Sequence, residues 1–182
     1  MKAALDQHPA VGARIDDEAL NPPFTRVRMD PMQRDDLTVL HEFLPVTVGA
    51  AMGIHKEVFD KVHGWDVSAT PLVDIDLSWR LQLAGVPLTF VPGAVLRYRY
   101  RTGLRATYRQ KRNYAIGDVF VMKRFRPMGA PRRPVASTLR GWGYVVRSGV
   151  KVRDRRSALL FMDHLGSAVG RFQGSIRYRY LF

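Results

Sequence analysis

Gly64–Tyr100 reads GWDVSATPLVDIDLSWRLQLAGVPLTFVPGAVLRYRY, and the fold turns on this stretch. It holds a Gly64-Trp65-Asp66 turn, two carboxylates one residue apart (Asp74 and Asp76), and a Trp-Arg-Leu segment closed by Ala84-Gly85. An apolar strand follows, broken by Pro92-Gly93. From Asp74 to Leu83 polar and apolar residues alternate, which is the period of a strand. Yet Ile75, Trp79 and Leu83, and likewise Leu77 and Leu81, also fit the i, i+4 spacing of a helix, and Ala84-Gly85 is a helix stop. Periodicity leaves both open. On a strand the two aspartates share one face. On a helix they diverge, and Asp74 sits at the N-terminus, where the helix dipole favours a carboxylate.

Upstream, residues 43–54 (FLPVTVGAAMGI) are apolar and read as one buried strand, with Gly49 and Gly53 allowing close backbone approach. His55-Lys56-Glu57 opens a short helix with Val58, Phe59 and Val62 on one side, and Gly64 ends it in a left-handed conformation. Residues 21–42 are polar, begin with Asn21-Pro22-Pro23, and read as a long surface loop with one helical turn, suited to a lid over a substrate. Residues 1–20 suit a helix end and a short strand. Downstream, a helix is expected from Leu104 to about Phe125, a break at Pro127–Pro131, and two helices near 135–150 and 154–170.

A chain of 182 residues can bury one domain core. It has no cysteine, which excludes disulfides, thiolate metal sites and a cysteine nucleophile, and fits a reducing compartment. There is no apolar run of about 18 residues or more, and residues 1–20 lack the order of a signal peptide. Charge is unevenly placed. Residues 1–96 carry 8 Lys+Arg against 13 Asp+Glu, and residues 97–182 carry 21 against 3, so the halves are net −5 and +18. An anionic partner is expected for the second half. Trp142, Tyr144, Val145 and Val146 beside Arg140, Arg147 and Lys151 suit a membrane-surface helix, with packing onto the domain as the alternative. Arginines interleaved with tyrosines at 97–101 and 177–180 could track a nucleic-acid backbone. No recognised nucleic-acid module accompanies them, so nucleic acid ranks last. The five histidines have no metal-ligand spacing and read as structural.

The order Gly-Ala-Ala-Met-Gly-Ile-His-Lys-Glu-Val-Phe, His-Gly-Trp-Asp, Val-Asp-Ile-Asp-Leu-Ser-Trp-Arg-Leu-Gln-Leu-Ala-Gly, then Phe-Val-Pro-Gly-Ala-Val resembles the acceptor-side half of family 2 glycosyltransferases, which have a GT-A fold. The resemblance implies an α/β chain: a partial GT-A-like mixed sheet with flanking helices over residues 1–126, then a basic helical extension over 127–182. It also implies a helix for 74–84. Asp74 matches the catalytic base, which takes the proton of an acceptor hydroxyl as it attacks the anomeric carbon, with inversion. Trp65 and Asp66 match the turn lining the acceptor pocket. Asp76 matches a second acidic position that orients the loop or the acceptor. Each also has a plain structural reading: an N-cap for Asp74, a salt bridge to Arg80 for Asp76, core packing for Trp65.

The departures from the family pattern are specific. Val73 stands where a glutamate is usual, and His63 where a glycine is. Arg97 or Tyr98, depending on register, falls where many members have a histidine that helps to hold the metal. Arginine does not bind a metal but pairs with a diphosphate, so Arg97 and Arg101 are the expected diphosphate contacts. The complete family enzyme uses Mg²⁺ or Mn²⁺, held by an Asp-x-Asp in a nucleotide-binding half that nothing before residue 64 resembles. The expectation is therefore a glycosyltransferase segment that needs a donor-binding half or partner chain, a nucleotide-sugar donor, and a glycan or lipid-linked acceptor. It would be cytoplasmic, at the inner membrane face. The competing reading is a non-catalytic basic module for anionic membranes or nucleic acid.

Overall fold

In a computed structural model of the chain, residues 1–25 and 33–182 are described. A four-residue helix, α1 (Lys2–Leu5), leads into strand β1 (Ala10–Asp16). Ala10, Val11, Ala13 and Ile15 are all at most 5% exposed, so β1 is covered on both faces. At Gly12 an added Cβ would meet Leu37 Cδ2 and Thr47 Oγ1 at 2.7 Å, so only glycine fits there.

Strands β2 (Thr38–Leu40) and β3 (Leu44–Val46) form an antiparallel hairpin. Its turn places His41 and Glu42 at φ +56°, a region that hairpins usually fill with Asn or Gly. A single 3₁₀ turn, Gly49–Ala51, then leads to β4 (Met52–Ile54). The stretch 43–54 is therefore two short strands in two sheets, where the sequence reads as one. The break arises because the N–H groups of Val48 and Gly49 bond to side chains instead of a neighbouring strand. The expected loop at 21–42 holds a 3₁₀ turn at Pro23–Thr25 and strand β2; its part at 26–32 lies outside the described residues.

Helix α2 (Lys56–Lys61) ends with His63 and Gly64 both at φ +61°. Helix α3 (Val73–Leu83) buries Ile75, Asp76, Leu77, Ser78, Trp79 and Leu81, and stops at Gly85, φ +79°. So the Asp74–Leu83 segment is helical. Strand β5 (Leu88–Arg97) runs parallel to β1, while β4 is antiparallel to it, giving a mixed sheet of order β4-β1-β5. Pairing jumps from Ala13↔Val91 to Arg14↔Val95. The bulge holds Pro92, which has no N–H to give a ladder. Leu77 and Leu81 of α3 pack with Ala10, Val62 and Val86 in one core cluster.

The chain packs as two compact units, residues 1–20 with 33–98, and 21–25 with 99–182. The second unit is helical: α4 (Leu104–Phe125), α5 (Val135–Gly149) and α6 (Arg155–Tyr178). α6 begins with a capping box in which Asp154 accepts from Ser157 N at 2.7 Å. Gly166, Gly170 and Gly174, one turn apart, form its seam with α4. A Cβ there would meet Tyr108 O at 2.6 Å, Arg112 O at 2.3 Å and Val119 Cγ2 at 2.8 Å, respectively. Lys111 and Asp163 close one side with an ion pair of 2.6 Å. The architecture is thus mixed α/β, a small mixed sheet with flanking helices followed by helices alone.

Candidate functional site

Three consecutive backbone N–H groups, at residues 47–49, fall outside any strand ladder and need acceptors. Thr47 N donates to Ser78 Oγ at 3.2 Å, Val48 N to Gln33 Oε1 at 3.0 Å, and Gly49 N to Asp74 Oδ2 at 3.0 Å. Asp74 and Ser78 lie one turn apart on α3, and Ser78 Oγ also donates to the Asp74 carbonyl at 2.7 Å. Helix α3 thereby fixes the path of the chain into the Gly49–Ala51 turn. Asp74 Oδ1 takes the N–H of Ile75 at 3.0 Å, as befits a carboxylate in a first helical turn.

Gly49 is also where Asp74 meets Trp65. A Cβ on Gly49 would lie 3.4 Å from Asp74 Cβ and 3.8 Å from Trp65 Cη2. Trp65 is 43% exposed and stands edge-on to Phe59, ring centroids 5.8 Å apart. Gly49, Met52, Ile54, Lys56, Phe59 and Trp65 line a cleft of about 290 Å³. Asp74 is half-buried. Burial pushes its carboxyl above the ordinary carboxylate range, against the N–H bonds from Gly49 and Ile75, which pull it down. A carboxylate shifted this way is a stronger base than one in water.

The other acidic candidates are held differently. Asp76 has no exposed surface, and its Oδ2 accepts from Arg80 Nε at 2.7 Å. Arg80 then donates to the carbonyls of Val62 and Gly64, the latter at 2.7 Å. The pair fastens the turn that carries Trp65. Of the two roles expected for Asp76, orienting the loop or the acceptor, its full burial and its bond to Arg80 favour the loop. Asp66 caps the 3₁₀ turn Val67–Ala69: its Oδ1 accepts from Ser68 N at 2.9 Å and Ser68 Oγ at 2.7 Å. It too shapes the Trp65 turn.

The model of glycosyl transferase family group 2 matches residues 24–167. The chain belongs to that family. No curated protein and no solved structure matches it. As a family 2 glycosyltransferase domain, it is expected to serve a nucleotide-sugar donor and an acceptor.

In this glycosyltransferase domain Arg97 ends β5 and is exposed, paired in register with Asp16. The Asp16 carboxyl is held low by the N–H groups of Glu18 and Ala19 and, to a lesser degree, by Arg97 and Arg14. Arg101 belongs to the other unit, where it is exposed beside a hollow of about 30 Å³ shared with Lys111 and Asp163. Family members commonly use a divalent cation. Among the described residues no three His, Asp or Glu converge, and Asp74 and Asp76 bond to different partners, Gly49 and Arg80. These residues do not make a Mg²⁺ or Mn²⁺ site.

Sequence reasoning missed Gln33 and Ser78. Gln33 is 1% exposed, donating to Ala13 O and Thr47 Oγ1, both at 2.6 Å, while accepting from Val48. Ser78 carried one signal, its i+4 spacing from Asp74 on a helix. Gln33 carried none, since its partners come from distant strands.

Proposed function

We propose that this domain forms the acceptor side of an inverting glycosyltransferase, spanning residues 1–126 with a basic extension over 127–182, and that Asp74 is its catalytic base. The observation that carries this reading is that Asp74 bonds to Gly49, which lines one cleft with the exposed indole of Trp65, while burial pushes the Asp74 carboxyl up. In the proposed step an acceptor hydroxyl oxygen attacks the anomeric carbon of the donor. The bond from that carbon to the diphosphate oxygen breaks, and the electron pair leaves with the nucleoside diphosphate. Asp74 takes the hydroxyl proton, and direct displacement inverts the anomeric centre. Trp65 offers an apolar face to the acceptor, and its turn is held by Asp66 on one side and Asp76–Arg80 on the other. Arg97, exposed at the end of β5, is proposed to offer charge to the diphosphate.

The donor nucleotide and its cation are assigned in this reading to a donor-binding half or partner chain. The acceptor is a glycan or lipid-linked glycan at the cytoplasmic face of the inner membrane. The test uses the natural full-length protein with a panel of nucleotide sugars and a membrane extract, and reads nucleoside diphosphate release. Asp74→Asn should lower the rate by about 10²–10⁴-fold. A variant with native circular dichroism and undiminished release would remove Asp74 from the chemistry. The second reading, a basic module that binds anions without catalysis, is favoured by the 21 Lys+Arg against 3 Asp+Glu in residues 97–182. It predicts anion binding with no transfer under any donor.

A further inference from the structure

Helix α5 packs on α6 with one side and leaves a second apolar stripe uncovered. It meets α6 through the side that carries Val145 and Ser148, 8% and 7% exposed, and Gly149, whose Cβ position lies 3.2 Å from Phe161. His164 Nδ1 lies 3.1 Å from Ser148 Oγ on that side. Leu139, Trp142, Val146 and the cap residue Val150 follow at spacings of about one turn. They are 68%, 39%, 67% and 78% exposed. Arg140, Arg147 and Lys151 lie about 100° further round the axis and are exposed. The helix itself has no acidic residue. Of the acidic residues in 97–182, Asp154 caps α6 and Asp163 pairs with Lys111, so neither offsets the charge on α5.

We propose that this face of α5 docks on an anionic lipid surface, with the stripe at the headgroup–acyl boundary and the three cations on lipid phosphates. An exposed run of four large apolar residues calls for a cover, and the adjoining charge selects an anionic one. Among the described residues no helix is long and apolar enough to cross a membrane. The 15 residues of α5 extend about 22 Å, short of a hydrocarbon core of about 30 Å, so the helix lies in the surface plane. A second copy would bring two strongly cationic faces together. Nucleic acid would find the charge and one stacking ring, Trp142, but would leave Leu139, Val146 and Val150 uncovered. The inference rests on α5 alone and does not depend on the role of Asp74.

Flotation of the full chain with vesicles tests it. Vesicles of phosphatidylcholine and phosphatidylglycerol, about three to one, should carry the protein, less so as salt rises, and phosphatidylcholine alone should not. Arg140→Gln with Arg147→Gln should weaken partitioning about 25-fold. Leu139→Ser, Val146→Ser and Val150→Ser together should weaken it by about tenfold or more. Should the triple variant lose its native circular dichroism, the arginine pair decides alone. The proposal falls if the protein does not float, or if a folded variant floats as well as the parent. It also falls if the stripe variants instead dissociate a dimer in sedimentation.

Discussion

Gly49 and Asp74, twenty-five positions apart, share a hydrogen bond in which the Gly49 N–H donates to Asp74 Oδ2 at 3.0 Å. Burial raises the Asp74 carboxyl all the same. The folded state then holds its proton to higher pH than the unfolded chain, so the unfolding free energy falls as pH rises from about 4 through the raised value. Asp74→Asn should flatten that slope in denaturant titrations across this range, with stability at neutral pH within about 1 kcal/mol of the parent. Asp74→Ala should be destabilised by about 1–3 kcal/mol, since Gly49 loses its acceptor. A slope unchanged in the Asn variant would show that another group titrates there.

Asp76 and Arg80 form the buried pair beneath the Trp65 turn. Arg80→Leu should cost about 3–5 kcal/mol, because it strands a buried carboxylate. The double variant with Asp76→Leu should recover much of that loss. A double-mutant cycle on urea midpoints checks it. An acceptor-contact role for Asp76 would instead appear as a raised KM with an unchanged midpoint.

Gly170 and Gly143 make opposite predictions. A Cβ at Gly170 would stand 2.3 Å from the Arg112 carbonyl, which is backbone and cannot swing aside. Gly170→Ala should therefore force α4 and α6 apart and lower stability by about 1–3 kcal/mol. At Gly143 nothing lies within 4 Å, and Gly143→Ala should raise stability by about 0.5–1 kcal/mol through helix propensity. Thermal melts of the two variants should move in opposite directions.

His164 sits half-buried between α5 and α6, with Tyr144 and Ser148 facing it from α5 and Lys111 from α4. Burial lowers its pKa, the neighbouring Asp163 works against that, and Lys111 adds to it. A histidine held neutral contributes stability that is complete above its unfolded value of about 6.5 and is lost as pH falls below it. His164→Gln should reduce the loss as pH falls below about 6.5. Equal acid sensitivity in parent and variant would rule out this residue as the source.

Legibility in the sequence followed the reach of each interaction. Helix α4 was expected from Leu104 to Phe125 and spans those residues, because Gly103, the apolar spacing and Pro127 are all local signals. Residues 74–83 were ambiguous because α3 is buried nearly all round, so its apolar residues satisfy two periods at once. The i, i+4 bonds Asp76–Arg80 and Asp74–Ser78 would have separated the two. The hairpin at β2 and β3 was hidden, since His41 and Glu42 take left-handed angles without the Asn or Gly that announces them. Gln33 looked like one more polar loop residue, yet it is a buried hub. Of the site, Asp74 and Trp65 were legible from their motif, whereas the function of Gly49 as the point between them needed the fold.

The glycine seam between α4 and α6 separates cohesion from charge. A seam in which glycines face the Tyr108 and Arg112 carbonyls and the Val119 side chain needs no charged group at those points, so the outward positions of both helices remain open to arginine and lysine. Residues 97–182 carry 21 of them against 3 acidic residues, a density at which side-chain-mediated packing would place like charges face to face. Added salt should loosen the Lys111–Asp163 pair at the margin and leave the seam untouched, since shape has no counterion.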